Sequence, residues 1–269
     1  MMKILLGLLI LVVSQLSFAA DPVCTVSSGK ITDTSDCRSE ADEYTLYLYD
    51  IGLCTSEPTP GNLSSCSFWG VEPGYFTMTP QSTTDLSISN EVKNGTYRWF
   101  VTVQSQQIGL KASKRFSSSL NGNTASGEFC WTRGYTYNLL GWDTSNRSEW
   151  TAECGSAFPS SIPKNTINYD SLTRHSFLAS GTKTLPSGKT GKMYLTKADA
   201  SFSSAISASE VERLLWVSQL DAPITISDKR KTFSMTIDRS MGTLVNIDSS
   251  VNLSGLLPNT FEITFAQSQ

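Results

Sequence analysis

Six cysteines carry the plainest chemistry in this sequence: Cys24, Cys37, Cys54, Cys66, Cys130 and Cys154. Such thiols bridge a fold, bind a metal, or cycle between oxidation states. A metal or redox site wants closely spaced thiolates or neighbouring histidines. No Cys-x-x-Cys occurs and no histidine adjoins a cysteine, so bridging is the expectation. Six cysteines allow fifteen connectivities, and spacing alone does not choose among them. The simplest joins neighbours. Cys24–Cys37 would tie down the N-terminal lead, Cys54–Cys66 would pin a turn-rich excursion, and Cys130–Cys154 would close an aromatic loop. Closing the middle span is worth roughly 3 kcal/mol in the chain-entropy account.

The residues of hydrolytic chemistry are sparse. His175 is the sole histidine, and no Gly-x-Ser-x-Gly elbow accompanies it. A serine triad needs that histidine as its base, and a histidine-built zinc site needs more than one. Pro186 to Lys192 imitates a phosphate loop, but Lys183 stands where the first glycine belongs; the segment reads as a basic hairpin tip. Asp36, Glu40, Asp42 and Glu43 form an acidic cluster with calcium-type oxygen ligands, expected to be a solvated face. Carboxylate pairs for sugar hydrolysis would have to be assembled in space, and nothing local marks one. No catalytic residue, metal or cofactor is expected.

Aromatics offer the alternative of binding without reaction. Trp131, Tyr135, Tyr137, Trp142 and Trp150 crowd one stretch. Exposed, they would stack on sugar rings or fill a partner's pocket; packed, they would cover the core under a closed loop. A last constellation lies at the C-terminus, where Phe261, Ile263 and Phe265 alternate with Glu262 and Thr264. That strand would complete its own sheet or be donated to a neighbour's open edge.

These residues need a scaffold, and composition says which kind. Only 17% of the 269 residues are charged, and Ser, Thr, Val, Ile and aromatics suit pleated surfaces. The fold class expected is all-β: disulfide-reinforced antiparallel β-sandwich modules with at most one short helix. Strand signals cover Tyr44–Tyr49, Asp85–Ser89, Thr96–Val103, Ile108–Phe116 and Ala125–Thr132. They resume at Lys192–Thr196, Ile224–Ser227, Thr232–Asp238, Thr243–Ile247 and Thr260–Ala266. Leu46 and Leu48 should face opposite to Thr45, Tyr47 and Tyr49, and Tyr97, Trp99, Val101 and Val103 should share a face. The one helix expected is Glu210–Leu220, from a Ser209/Glu212 capping pattern and the spacing of Val211, Leu214, Leu215 and Leu220.

Residues 1–19 read as a signal peptide: Lys3, an apolar run from Ile4 to Val13, then small residues to Ala19 and Ala20. The destination is secreted, extracellular or cell-surface, and the periplasm meets the same requirement for stable disulfides. The cysteines all lie before Gly155, and the Pro-rich 155–165 stretch reads as a connection. Residues 20–155 then form a disulfide-containing β-sandwich domain and 156–269 a cysteine-free β-rich domain, with one continuous sandwich as the alternative. Acidic residues outnumber basic ones, 24 to 21, and no basic block occurs, so nucleic acid is not an expected partner. No second apolar run has the length of a membrane span. Asn62, Asn94, Asn146 and Asn252 stand in Asn-x-Ser/Thr contexts.

Tyr47 to Ser56, Ser65-Cys66, Asn94 to Trp99 and Phe129-Cys-Trp-Thr132 together resemble a group of uncharacterised secreted β-rich proteins of marine bacteria and their viruses. The likeness spans roughly residues 44–132. It implies a bacterial host and carries over no catalytic residue. The leading expectation is a non-catalytic structural or adhesive surface protein, a subunit of an extracellular filament built by strand addition. Self-association or another surface protein supplies the partner. A lectin-like carbohydrate-binding module using the 129–150 aromatics is the alternative; a carboxylate hydrolase ranks third and an outer-membrane barrel last.

Overall fold

A computed structural model describes residues 21–79, 92–172, 177–201, 206–227 and 233–267. The leader, the Asp85–Ser89 strand signal and His175 lie outside these residues. In chain order the strands are β1 Val26–Ser27, β2 Lys30–Ile31, β3 Cys37–Ser39, β4 Glu43–Cys54, β5 Cys66–Phe68, β6 Gly74–Met78, β7 Gly95–Lys111, β8 Ser113–Asn121, β9 Ser126–Thr132 and β10 Thr136–Asn138. They continue as β11 Ala152–Gly155, β12 Asn165–Asn168, β13 Ser180–Thr184, β14 Thr190–Thr196, β15 Arg213–Ile226, β16 Phe233–Asp238, β17 Thr243–Ser249, β18 Asn252–Pro258 and β19 Glu262–Gln267. Among the described residues the helices are two single 3₁₀ turns, Arg147–Glu149 and Ala208–Glu210. The chain is all-β and disulfide-reinforced, as its composition requires.

Two curled sheets carry the fold. An eight-stranded sheet joins β1, β2, β3, β8, β9, β11, β17 and β18, and a nine-stranded sheet joins β4 to β7, β10 and β12 to β15. Their shared axis is one long path. β7 belongs to the nine-stranded sheet, β8 to the eight-stranded one, and only Ala112 separates them. Thr132 holds this corner. Its N–H donates to the Ala112 carbonyl at 2.9 Å, and its Oγ1 accepts the Ala112 N–H at 3.2 Å. Strands from both sides of the 155–165 stretch share the sheets: β15 pairs with β7, and β17 pairs with β3. The pairing is antiparallel except for β10 along β12 and single-residue contacts of β8 with β2 and β18.

β7 is seventeen residues long, and its two halves have different neighbours on one edge. Gly95–Ser105 pairs with β15, and Gln107–Leu110 pairs with β12, while β4 follows the other edge. The inward face of β4 carries Tyr44, Leu46, Leu48, Ile51 and Leu53 into the main core. A register irregularity between Leu48 and Asp50 shifts the inward positions from even to odd numbers. Leu46 and Leu48 thus point inward as their alternation predicts. The expected common face of Tyr97, Trp99, Val101 and Val103 is corrected. Tyr97 enters the main core, whereas Val101 and Val103 join a second apolar cluster with Cys54, Leu215 and Val217, flanked by Trp99.

The Glu210–Leu220 helix is a correction. Residues 208–210 make one 3₁₀ turn and the chain then extends as β15. Leu214 and Trp216 fill the main core, while Leu215 and Val217 fill the second cluster. A strand covered on both sides reads as a continuous apolar run, and such a run mimics short helical spacing. The capping signal was real but displaced. The Glu210 carboxylate accepts from the Ser207 N–H and Oγ, both at 2.9 Å, and pairs with Lys197 at 2.9 Å. These contacts, led by the Ser207 N–H, hold the Glu210 pKa down to about 2. A folded pKa below the unfolded one means the turn's stabilisation is present above pH 4.5 and is lost as pH falls towards 2. An NMR titration should place the Glu210 carboxylate midpoint near 2, rising in Lys197→Ala. A midpoint at the ordinary glutamate value would refute the cap.

Nearest-neighbour pairing holds for all three disulfides, Cys24–Cys37, Cys54–Cys66 and Cys130–Cys154, and no described cysteine is free. Cys54–Cys66 joins directly opposed residues of β4 and β5, and Cys130–Cys154 does the same for β9 and β11. The 55–65 excursion pinned by the first places Leu63 against the second apolar cluster. It therefore roofs one half of the outer surface of the nine-stranded sheet. Among the described residues the other half stays open.

Candidate binding face on the nine-stranded sheet

The open half is built where β6, β4, β7 and β12 lie side by side. Register aligns Thr77, Thr45, Gly109 and Thr166 in one row, continued by Thr136 on β10. Cross-strand partners share a face, so residues from four distant segments present hydroxyls together. In the next row Tyr47 stands opposite Tyr75. The two rings meet edge to face at 5.1 Å and 87°, and Tyr47 meets Tyr49 at 5.1 Å as well. Tyr75 is 80% exposed. Arg213 closes the far side of this aromatic run, 4.0 Å from the Tyr49 ring.

Thr45, Tyr47, Tyr75, Thr77 and Thr166 surround a groove of about 310 Å³ over Gly109, completed by Gln107 and Lys164. Gly109 forms its floor. A methyl there would lie 3.1 Å from Thr45 Cβ and 3.0 Å from Lys164 Cδ, so the missing side chain lets the Lys164 stem lie close against β7. At one end Lys111 and Lys164 share Glu43, at 2.8 and 3.8 Å. Asn165 fixes β12 from beneath. Its side chain is buried and spans four backbone groups, which leaves Lys164 and Thr166 pointing outward. A rigid sheet thus offers an aromatic ring, hydroxyls, an amide and an ammonium around a shallow trough. That set can stack on one face of a ligand and hydrogen-bond its rim.

The aromatics singled out in the sequence sit elsewhere, and of the two arrangements open to them the packed one is found for Tyr137, Trp142 and Trp150, so they form no exposed binding surface. Tyr137, Trp142 and Trp150 are buried, at 6%, 2% and 5% exposure. Trp142 Nε1 donates to the Glu149 carbonyl at 2.9 Å, and Trp150 Nε1 to the Thr144 carbonyl at 2.6 Å. Tyr135 stacks on Tyr137 at 5.9 Å beneath Arg133, and Trp131 is half-buried against Gly155. These rings pack a flap onto the core. Tyr47 was visible only as a member of the Tyr44–Tyr49 strand segment and of the 44–132 likeness, and Tyr75 lies in β6, which no strand signal marked.

Other marked residues have structural employment. Asp36 accepts from Asn246 Nδ2 and the Ile247 N–H, both at 2.7 Å. Glu40 pairs with Arg239 at 3.2 Å, and Asp42 accepts from Ser113 Oγ at 2.6 Å. The acidic cluster is therefore spread over structural contacts rather than gathered around a cation. The 186–192 hairpin tip forms as expected, but Ser187 donates to Glu262 and Lys189 pairs with Asp221. Phe261 lies in the core between Tyr44, at 5.5 Å, and Trp216, at 6.3 Å, so it is not part of a donor strand. Ile263 and Phe265 fall in β19, whose backbone pairs with β16 of the same chain.

An interior cavity of about 20 Å³ lies among Tyr44, Gln104, Tyr169, Lys183 and Asn259. Burial lowers the Lys183 pKa there, with Asp21 opposing the effect and Arg38 adding to it. That volume suits a water molecule, not a ligand. Among the described residues no helix is long and apolar enough to cross a membrane. The chain matches no family model, no curated protein and no solved structure.

Proposed function

We propose that this chain is a secreted, non-catalytic surface protein that adheres through the open half of its nine-stranded sheet. The observation carrying this reading is the groove around Gly109, with Tyr75 left 80% exposed beside it. A large exposed ring on a rigid sheet face is suited to contact with a partner. Three formed disulfides support an oxidising destination. The test is retention of labelled protein on cells of the bacterial host expected from the sequence, followed by flow cytometry. Saturable retention, lost in Tyr75→Ala and kept in Val251→Ala on the eight-stranded sheet, is the expected result. No retention, or turnover in a hydrolase screen, would overturn the proposal.

A second reading, polymerisation by strand addition, draws on one feature. Among the described residues the β16–β19 ribbon pairs with neither large sheet, and two-stranded ribbons gain from further pairing. Filaments or concentration-dependent sedimentation would favour it. A monomer at every concentration and salt would remove it.

A further inference from the structure

We propose that the Gly109 groove is a glycan site taking one ring of a polysaccharide, with Tyr75 as its stacking platform. The inference rests on the reading of this sheet half as the adhesive face, and it names the ligand class. The argument starts from what surrounds the trough. Thr77 and Thr166 supply hydroxyls, Gln107 an amide, and Tyr47 and Tyr75 aromatic surface, over a buried Thr45 whose hydroxyl donates to Glu43. Hydroxyls and amides both donate and accept, which matches a rim of sugar hydroxyls that also do both. The Tyr75 ring is open to solvent and suits the C–H face of a pyranose, apolar on one side and polar at its edge. At about 310 Å³ the groove sits at the small end of ligand pockets, fitting one ring with the chain continuing outside.

Other ligand classes fit less well. A peptide strand binds by pairing with a sheet edge, whereas this trough lies on a face, over β4, β7 and β12, each already paired on both sides, with β6 at its margin. Phosphate-rich ligands call for arginine forks or clustered cations, but here two lysines share Glu43. A purely apolar ligand would leave the threonine row unmatched. Gly109 adds shape, because it lets the Lys164 stem lie close against the sheet, where any side chain would push that stem outward.

The experiment has two arms. In the first, an array of neutral β-linked and uronic-acid oligosaccharides is probed with wild type, Tyr75→Ala and Thr166→Val. Binding to either sugar type should fall about tenfold in Tyr75→Ala and about threefold in Thr166→Val, with thermal unfolding unchanged. In the second, host cells are treated with mild periodate, which cleaves vicinal diols, or with protease. Periodate should abolish retention and protease should spare it. Retention that depends on Tyr75 but survives periodate, with no array binding, would overturn the glycan while leaving the adhesive face intact. Retention indifferent to Tyr75→Ala would overturn both. Array binding indifferent to Tyr75→Ala would overturn this groove as the site.

Discussion

Asn165→Ala should destabilise the protein by about 4 kcal/mol, close to 10 °C in Tm for a chain of this size. The side chain is fully buried. Its Oδ1 accepts the Gly134 and Tyr135 N–H groups at 3.0 and 2.9 Å, and its Nδ2 donates to the Thr151 and Leu256 carbonyls at 2.8 and 3.3 Å. Alanine leaves both part-buried amide donors without their protein partner, at about 1–3 kcal/mol each, and weakens two carbonyls. The Leu256 carbonyl keeps a contact with Thr151 Oγ1, so the donors dominate the sum. Because Asn165 anchors β12, Lys164 and Thr166 should shift with it and groove binding should fall below the melting range. Asn165→Asp separates the contributions. Its carboxylate still accepts from both N–H groups but repels the Thr151 carbonyl, so acid should partly rescue it. Denaturant unfolding of the three proteins is the measurement. An Asn165→Ala loss under about 1 kcal/mol would discard the clamp.

Trp142→Ala should cost about 3–5 kcal/mol through cavity formation, with no direct loss of ligand contact. The indole packs 5.2 Å from Tyr137, and its Cη2 lies 3.2 Å from where a Cβ on Gly255 would stand. It is the ring that joins the 139–150 flap to the main core, whereas Trp150 stays outside that cluster. Removing it should release the flap, raising amide exchange from Leu139 to Trp150 while β4 and β7 stay protected. Trp142→Phe should lose chiefly the bond to the Glu149 carbonyl, about 1 kcal/mol. A stable Trp142→Ala that stops binding glycan would return the recognition surface to this flap.

Much of the framework was legible from local pattern. Tyr44–Tyr49 and Thr96–Val103 alternate as strands do and lie in β4 and β7. Asn121-Gly122 marks the turn between β8 and β9. The neighbouring cysteines proved to be the bonded ones because β5 folds back directly on β4, and β11 on β9. Two readings gave way for separate reasons. Leu214 to Val217 resembled a helix because both faces of β15 are covered, and the period-2 signal vanishes when neither face meets water. The aromatic loop resembled a binding surface because composition records ring count, not the side to which each ring turns.

The sequence by itself determined the class of structure: a low-charge, Ser/Thr- and aromatic-rich chain committed to pleated sheets and disulfide bridges. Those properties are written in residue type and short spacing, which govern strand formation and thiol chemistry. Only the tertiary structure decided the groove. Thr77, Thr45, Gly109 and Thr166 belong to four strands, and their common row exists through register. A one-residue slip would turn any of them to the other face. Register is set by burial across the whole sheet, so no local window of the sequence contains it.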